Sequence, residues 1–120
     1  MKKTFWWGIG FIIFVGLIWY FSSGSGKYDG FAQCLTEKGA VMYGAYWCPH
    51  CQAQKKLFGS SWDYVTYVEC SLPNGNGQTE VCIKEGITGY PVWKFADGKK
   101  ISGQLSLEQL GSFTGCELPL

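Results

Sequence analysis

The order of apolar and polar positions divides the chain into an apolar N-terminal segment and a mixed remainder. Residues 5–21 form a run of 17 positions without a charged side chain, whereas short apolar runs alternate with polar stretches from residue 28 onward. A helix of that length rises about 26 Å, against a hydrocarbon core of ~30 Å, and Trp and Tyr at both ends suit the membrane interface. The pattern therefore predicts a transmembrane signal-anchor over residues 1–21.

The charges that flank this segment predict its orientation. Lys2 and Lys3 precede the apolar run and only Lys27 follows it closely, so the N-terminus is expected in the cytoplasm and the remainder in the periplasm or another extracytoplasmic space. A cleavable signal peptide is the alternative, although an A-x-A-like site is lacking and the apolar run is long for such a peptide. Residues 22–27 predict a flexible Gly/Ser linker, and residues 28–120 predict the folded domain.

The pattern of residues 28–120 predicts alternating helices and strands. Helices are expected over residues 30–38, 49–58, 78–85 and 105–113, and strands over residues 40–46, 64–69, 92–95 and 100–102. Asp97-Gly98 is a strong hairpin signal between the last two strands. Ser106, followed three residues later by Gln109, predicts the capped start of the last helix. This order favours an α/β fold with a mixed sheet and helices on both faces.

Composition narrows the possible functions. A chain of 120 residues has room for one small domain. A net charge of +1 gives no electrostatic footprint for nucleic acid, so a nucleic-acid partner is not expected. The polar run Gln54-Lys55-Lys56 predicts a solvated face on the second helix. The six cysteines are the feature that calls for a chemical explanation.

The motif Cys48-Pro49-His50-Cys51 lies where a predicted buried strand turns into a helix. A thiol at a helix N-terminus faces unpaired backbone N–H groups and the positive end of the helix dipole, which favour the thiolate of Cys48. Cys51 follows one turn later and can reach Cys48, while Pro49 starts the helix without loss of a hydrogen bond. Protonated His50 adds a positive charge beside Cys48. The motif therefore predicts a redox-active disulfide.

A C-x-x-C pair can also serve purposes other than redox chemistry. A zinc site needs further ligands, yet His50 is the only histidine and a second C-x-x-C is absent from the sequence. Haem attachment needs a histidine directly after the motif, where Gln52 stands. Copper capture by Cys48 and Cys51, or a permanently oxidised structural bridge, remains an alternative. We predict neither a metal nor a cofactor.

Together with Gly89-Tyr90-Pro91, the segment from Tyr46 through Cys51 resembles the thioredoxin-like superfamily, over roughly residues 30–116. The resemblance implies a thioredoxin-like fold, with a cis bond before Pro91 and a substrate groove shaped by that proline. It also implies that the backbone of Tyr90 pairs with an incoming substrate strand. Tyr46, Trp47 and Tyr90 are expected to form an apolar collar for unfolded substrates, with partial burial in the core as the alternative.

The sequence departs from that superfamily at one position near the motif. Met42 stands six residues before Cys48, where many cytosolic thioredoxins carry a buried aspartate. Proton transfer must then use another group or water. Glu37, Lys38 and Glu69 are candidate proton carriers by analogy with the fold alone.

A closer likeness is to the thioredoxin-like domains fused to, or partnering with, vitamin K epoxide reductase homologues; residues 31–40, 68–70 and 115–116 are similar to theirs. The resemblance implies a membrane-anchored, extracytoplasmic thiol–disulfide oxidoreductase of the protein disulfide oxidase or isomerase type. Such an enzyme passes oxidising equivalents from a quinone-linked membrane oxidase to folding proteins. Cys48 would form the mixed disulfide and Cys51 would resolve it. A thiol reductase of cytochrome-maturation type and a copper-binding module are the alternatives.

The other four cysteines, Cys34, Cys70, Cys82 and Cys116, allow three pairings. Cys70 ends a predicted strand and Cys82 lies in the next helix, so a bond between them closes a short loop worth roughly 3 kcal/mol. Cys34 and Cys116 would then form the second structural disulfide, although the first and last helices can lie on opposite faces of the sheet. A relay in which Cys70 or Cys82 exchanges with Cys51 is the alternative.

Overall fold

A computed structural model describes residues 10–15 and 26–119 of the chain. In the second range the helices are α1 (Asp29–Glu37), α2 (Pro49–Phe58), α3 (Glu80–Lys84) and α4 (Leu107–Thr114), with a 3-10 helix at Gly59–Tyr64. The strands are β1 (Val41–Gly44), β2 (Thr66–Glu69), β3 (Val92–Lys94) and β4 (Lys100–Ser102). These bounds lie within a few residues of the predicted ones. The 3-10 helix accounts for the later start of β2.

The four strands form one mixed sheet in the order β2-β1-β3-β4. β1 runs parallel to β2, and β3 runs antiparallel to both β1 and β4. The parallel pair is joined through α2, because parallel neighbours need a crossover connection. β3 and β4 are joined by the predicted hairpin, in which Gly98 adopts a left-handed φ of 85°. This mixed sheet with its helices fits the predicted thioredoxin-like fold.

The two faces of the sheet bury different sets of side chains. Met42 and Trp93 pair in register and face a larger core, whereas Tyr43 and Val92 pair one position away and face a smaller one, as the alternation of strand side chains requires. We call these the first core and the second core. Helices α1, α2 and α4 supply the first core with Leu35, Phe58 and Leu110, among others. The short helix α3 covers the second core with Cys82.

Helix α4 begins as predicted and is tied to α1. Gln109 N donates to Ser106 Oγ at 3.1 Å, and Ser106 N donates to Gln109 Oε1 at 2.8 Å, which completes the expected capping box. Directly beyond the helix, Cys116 forms a disulfide with Cys34 of α1. The first and last helices therefore lie on the same side of the sheet.

The prediction of a solvated face on α2 is wrong for Gln54. Its side chain is fully buried, and both polar atoms of its amide have hydrogen-bond partners inside the protein. Gln54 Oε1 accepts hydrogen bonds from Leu105 N at 2.8 Å and Trp93 Nε1 at 3.1 Å, while Nε2 donates to Leu105 O at 2.8 Å. Lys55 is half-buried and Lys56 is exposed. Gln54 thus connects α2 to β3 and to the segment before α4.

The prediction of a transmembrane helix at the N-terminus is contradicted. Within residues 10–15 and 26–119, none of the helices is long and apolar enough to cross a membrane. The same finding contradicts the predicted single-pass membrane location. Residues 1–9 and 16–21 of the predicted anchor, and residues 22–25 of the predicted linker, lie outside the described residues.

Candidate active site

Cys48 and Cys51 are brought together at the start of α2. Cys48 is the N-cap residue of the helix, with extended backbone angles, and Pro49 occupies the first turn. The chain enters through a tight turn in which Cys48 N donates to Ala45 O at 3.1 Å, and the helix begins with Gln52 N donating to Cys48 O at 3.0 Å. Neither thiol is in a disulfide, and both are buried. Cys48 thus lies at the positive end of the helix dipole, as the sequence predicts.

Burial sets the chemistry of Cys51, which is fully buried beneath the start of the helix. The pKa of its thiol is raised to about 11, mainly by burial and in addition by the hydrogen bond and the charge of Cys48. A backbone hydrogen bond from Ala45 and the positive charge of Lys55 act in the opposite direction. In the reduced pair, Cys51 therefore holds its proton at neutral pH and must exchange that proton whenever it enters or leaves a disulfide.

A glycine at the end of β1 makes room for Cys51. A Cβ atom at position 44 would lie 2.9 Å from Cys51 Sγ, closer than real Cβ contacts allow, and 3.1 Å from Tyr67 Cε2, which is also tight. Gly44 therefore permits the helix start and the Tyr67 ring to pack against the strand. Sequence reasoning missed both residues; the signal that could have revealed Gly44 is a glycine inside an otherwise apolar strand, which often marks a close approach.

Tyr67 and Glu69 of β2 form a hydrogen-bonded pair beside this position. Tyr67 Oη donates to Glu69 Oε1 at 3.2 Å, and burial, followed by the charge of Glu69, raises the pKa of the Tyr67 phenol. Glu69 Oε2 accepts from the backbone N–H groups of Tyr46 at 3.2 Å and Ser71 at 3.1 Å. Glu69 thus connects the end of β2 to the segment that precedes Cys48.

Among the three candidate proton carriers, Glu69 is the one that contacts the segment before Cys48, through its hydrogen bond with Tyr46 N. Glu37 is the last residue of α1 and Lys38 follows it, so both precede β1. The cysteines follow β1, at its opposite end. Lys38 lines a separate cavity with Phe95 and Phe113. The structure therefore does not bring Glu37 and Lys38 to the dithiol.

Three aromatic residues lie just before Cys48 in the chain or in the segment that contacts it, and we call them the aromatic rim (Tyr46, Trp47 and Tyr90). Tyr46 is 46% exposed and Trp47 is 48% exposed, so neither is an ordinary core residue. The indole of Trp47 contacts the ring of Tyr90 edge-on at 5.9 Å and donates through Nε1 to Ser71 Oγ at 2.8 Å. Tyr46 Oη donates to Pro73 O at 2.8 Å. The rim provides an apolar surface beside Cys48, fixed by polar contacts at its outer edge.

The segment around Pro91 completes the site. The peptide bond between Tyr90 and Pro91 is cis, as the resemblance implies, and Pro91 is buried. Cys48 Sγ lies 3.8 Å from the carbonyl oxygen of Tyr90, within reach of a weak S–H···O contact. His50 is exposed in the first turn of α2. The roles assigned to His50 and Pro91 stay predictions.

The remaining four cysteines form two disulfides, Cys34–Cys116 and Cys70–Cys82. This is the pairing that the sequence analysis favours among the three possible ones. Cys70 and Cys82 belong to the second core, whereas Cys51 belongs to the first. Since the sheet separates the two cores, direct exchange between Cys51 and the Cys70–Cys82 bond would need a large rearrangement. The geometry thus favours a structural role for this bond over the relay.

If the site bound a metal ion, the ligands would be the two free thiols. Cys48 and Cys51 are soft ligands of the kind that suits Cu(I). Across residues 10–15 and 26–119, no group of three or more His, Cys, Asp or Glu side chains is placed to hold a metal ion.

Comparison with known proteins shows a similarity to an oxidoreductase. No protein-family model matches the chain. The thiol-disulfide oxidoreductase LTO1 of Arabidopsis thaliana is 38% identical to it over 102 residues. The aligned part covers 81% of this chain but 27% of LTO1, so the chain spans only about a quarter of the length of that relative.

Proposed function

We propose that this chain is a thiol–disulfide oxidoreductase in which Cys48 and Cys51 alternate between a dithiol and a disulfide. The observation that carries the proposal is the contrast among the six cysteines. Four of them are in disulfides, whereas these two lie unbonded at the start of α2, beside the aromatic rim. The similarity to a relative named as a thiol-disulfide oxidoreductase supports the same activity. We propose protein thiols and disulfides as the substrates.

The geometry favours Cys48 as the sulfur that meets the substrate. It lies at the N-terminus of α2 and next to the rim, while Cys51 is enclosed by β1 and β2. In the oxidising direction a substrate thiolate attacks Cys48 Sγ, the Cys48–Cys51 bond breaks, and Cys51 leaves as a thiolate that takes a proton. A second substrate thiolate then attacks the mixed disulfide and releases Cys48. Two electrons pass from the substrate to the cysteine pair, and a reductase runs the same steps in reverse.

The aromatic rim suits an unfolded substrate. An unfolded chain exposes apolar side chains near its cysteines, and such side chains can pack on Tyr46 and Trp47 while the substrate sulfur approaches Cys48. The backbone of Tyr90, which already contacts Cys48, is available to pair with an extended substrate segment. We propose that Pro91 shapes this groove and that His50 favours the thiolate of Cys48.

We also propose that the oxidising equivalents come from a quinone-linked membrane oxidase of the vitamin K epoxide reductase type. The likeness of residues 31–40, 68–70 and 115–116 to domains that work with such oxidases supports this partner. Two structural disulfides suit an oxidising compartment. If the proposal is right, adding such an oxidase and a quinone to the reduced protein restores the Cys48–Cys51 disulfide. If disulfide formation does not depend on the oxidase, this partner is wrong.

Substitution of each cysteine tests the activity itself. The oxidised protein is mixed with a reduced, unfolded protein, and the loss of free thiols is followed over time. Cys48→Ser is expected to slow thiol transfer by at least about 10³-fold, because it removes the sulfur that the substrate thiolate attacks. Cys51→Ser, mixed instead with a disulfide-bonded substrate, is expected to accumulate a mixed disulfide, because the Cys48 thiolate attacks the substrate disulfide and the resolving thiol is missing. Transfer at the wild-type rate in the Cys48→Ser variant would contradict the proposal.

The reduction potential decides the direction of transfer. A potential near −120 mV is characteristic of a strong oxidant such as the periplasmic dithiol oxidase, and one near −270 mV of a reductase, a gap of roughly 7 kcal/mol for two electrons. We propose the oxidising direction and therefore expect the higher value. Equilibration with glutathione redox buffers, read out by mass shift after thiol alkylation, measures it. A value near the lower limit would contradict the oxidising direction.

A further inference from the structure

Lys55 lies one helical turn beyond Cys51 on the same face of α2, because residues four apart on a helix are neighbours. Its Nζ atom lies 4.1 Å from the centroid of the Tyr67 ring and 5.9 Å from that of Trp62. Tyr67 Cε2 and Cys51 Sγ both come within about 3 Å of the position that a Cβ at residue 44 would occupy. The ring that holds the ammonium group thus packs next to the Cys51 sulfur.

The charges around Cys51 are unequal. Cys48 and Lys55 act on it from its own helix, and Tyr67, which is hydrogen-bonded to Glu69, packs beside it from β2. Tyr67 stays a neutral phenol because burial raises its pKa, and the Glu69 carboxylate is engaged by Tyr67 Oη and by two backbone N–H groups. Among these groups, Lys55 carries the positive charge. That charge lowers the pKa of Cys51, against the larger effect of burial.

We propose that Lys55 is the residue that stabilises the Cys51 thiolate each time this sulfur enters or leaves a disulfide. The inference rests on the proposed function and adds a residue to it. When a substrate thiolate bonds to Cys48 Sγ, the Cys48–Cys51 bond breaks and Cys51 leaves with the electron pair, before it takes a proton from water. In the reverse direction Cys51 gives its proton to water, attacks Cys48 and expels the substrate thiolate. The same anion occurs in both directions, and a better-stabilised thiolate is a better leaving group.

The chain offers a matched control for this residue. Lys56 carries the same charge on the same helix but is exposed, whereas the cation–π contacts with Tyr67 and Trp62 are made by Lys55. Methionine keeps the length and apolar stem of lysine and removes the charge. Lys55→Met and Lys56→Met therefore change net charge equally and differ only in whether the charge faces Cys51.

The experiment measures how fast Cys51 resolves a preformed Cys48 mixed disulfide, over a range of pH. Lys55→Met is expected to shift the pH dependence upward by about half a unit, which makes resolution about threefold slower at neutral pH. Lys56→Met is expected to match the wild type, and Lys55→Arg to restore most of the rate. High salt should reduce the difference between Lys55→Met and the wild type. Equal pH profiles for Lys55→Met and Lys56→Met would overturn the proposal.

Substitutions of Tyr67 test how the charge is held. Tyr67→Phe keeps the ring under Lys55 and removes only the hydroxyl, so it should keep the wild-type pH profile. Tyr67→Leu removes the ring and should shift the profile in the same direction as Lys55→Met. A shift in Tyr67→Phe as large as that in Lys55→Met would assign the effect to the hydroxyl and overturn the role of Lys55.

The two proposals fail in different ways. If the wild-type protein forms no mixed disulfide through Cys48, the proposed function is wrong. If it does so and Lys55→Met resolves it with the wild-type pH profile, only the role of Lys55 is wrong. Titration of the Cys51 thiol in a Cys48→Ala background, followed by thiolate absorbance, gives a reading that does not depend on any substrate. An unchanged titration in Lys55→Met would likewise overturn the role of Lys55.

Discussion

Two pairs of cysteines lie on opposite faces of one sheet and differ in chemistry although both are buried. Cys70 and Cys82 are 0% exposed and bonded in the second core. Cys51 is also 0% exposed and Cys48 only 6%, yet both remain thiols. Burial alone therefore does not explain why one pair is bonded and the other is not, and the surroundings of each sulfur must be compared.

The surroundings differ in two respects. The Cys70–Cys82 bond is covered by apolar side chains of the second core, Tyr43, Ile87 and Val92. Cys48, in contrast, lies at a helix N-terminus and beside the partly exposed aromatic rim. A reactive thiol needs both a stabilised anion and a path for its substrate, which is why we propose Cys48 as the reacting sulfur.

The two regions are also connected through the end of β2. Glu69 and Ser71 flank Cys70, and they bind the backbone of Tyr46 and the indole of Trp47. Cys70 N itself donates to Gly44 O at 2.7 Å. These hydrogen bonds connect the strand end that carries Cys70 to the aromatic rim. This connection allows the contrast between the two pairs to be tested from either side.

The largest expected effect on stability comes from removing the disulfide of the second core. Cys70→Ala/Cys82→Ala should lower the free energy of unfolding by about 3 kcal/mol, because the bond closes a loop with a sequence separation of 12. Urea unfolding measures the loss. Thiol exchange through Cys48, measured under conditions where the variant is folded, should stay within a few-fold of the wild type.

The matched variant removes the pair of the first core. Cys48→Ala/Cys51→Ala should abolish exchange. Its free energy of unfolding should differ by only about 1–2 kcal/mol from that of the wild-type protein with Cys48 and Cys51 reduced. If the Cys70→Ala/Cys82→Ala variant stayed folded but lost exchange, the contrast between the pairs would break down. The relay between them would then be the better interpretation.

A smaller effect is expected from filling the space beside Cys51. Gly44→Ala should cost about 2 kcal/mol, because the added Cβ would lie 2.9 Å from Cys51 Sγ and force the helix start or the Tyr67 ring to shift. Gly30→Ala in α1 is the control: an added Cβ meets nothing within 4 Å there, so alanine should stabilise the helix by about 0.5–1 kcal/mol. Thermal unfolding distinguishes the opposite signs. A neutral Gly44→Ala would show that Cys51 is not tightly packed.

The features that sequence predicted correctly depend on neighbours in the chain. Helix α2 is defined by Pro49 and Gly59, the hairpin by Asp97-Gly98, and the start of α4 by Ser106 and Gln109. The placement of Cys48 and Cys51 at the start of α2 is equally local, because their spacing is about one helical turn.

The features that sequence missed depend on packing between distant segments. The Gln54 amide is paired with groups 39 and 51 residues away, so a polar run beside two lysines gave no sign of its burial. Gly44 and Tyr67 meet only because β1 and β2 are neighbours in the sheet. The apolar run over residues 5–21 predicted a transmembrane helix that the helices of the described part contradict.

The smallest expected effect is a pH dependence of stability that only the first face can produce. Disulfide-bonded Cys70 and Cys82 carry no proton, whereas burial raises the pKa of the Cys51 thiol from 9.0 to about 11. An unfolded chain releases this proton near pH 9 while the folded chain still holds it, so the unfolded state is favoured as the pH rises. In a Cys48→Ala background, the free energy of unfolding should fall by about 1 kcal/mol between about pH 8 and pH 10.

The double variant Cys48→Ala/Cys51→Ala isolates this contribution, because it keeps every other group that titrates in the same range. The difference in unfolding free energy between the single and double variants, measured in urea at each pH, should therefore follow Cys51 alone. A difference that stays constant across this range would mean that Cys51 is solvated as well in the folded protein as in the unfolded chain. The conclusion that Cys51 is shielded from solvent, on which the contrast with the second core depends, would then be wrong.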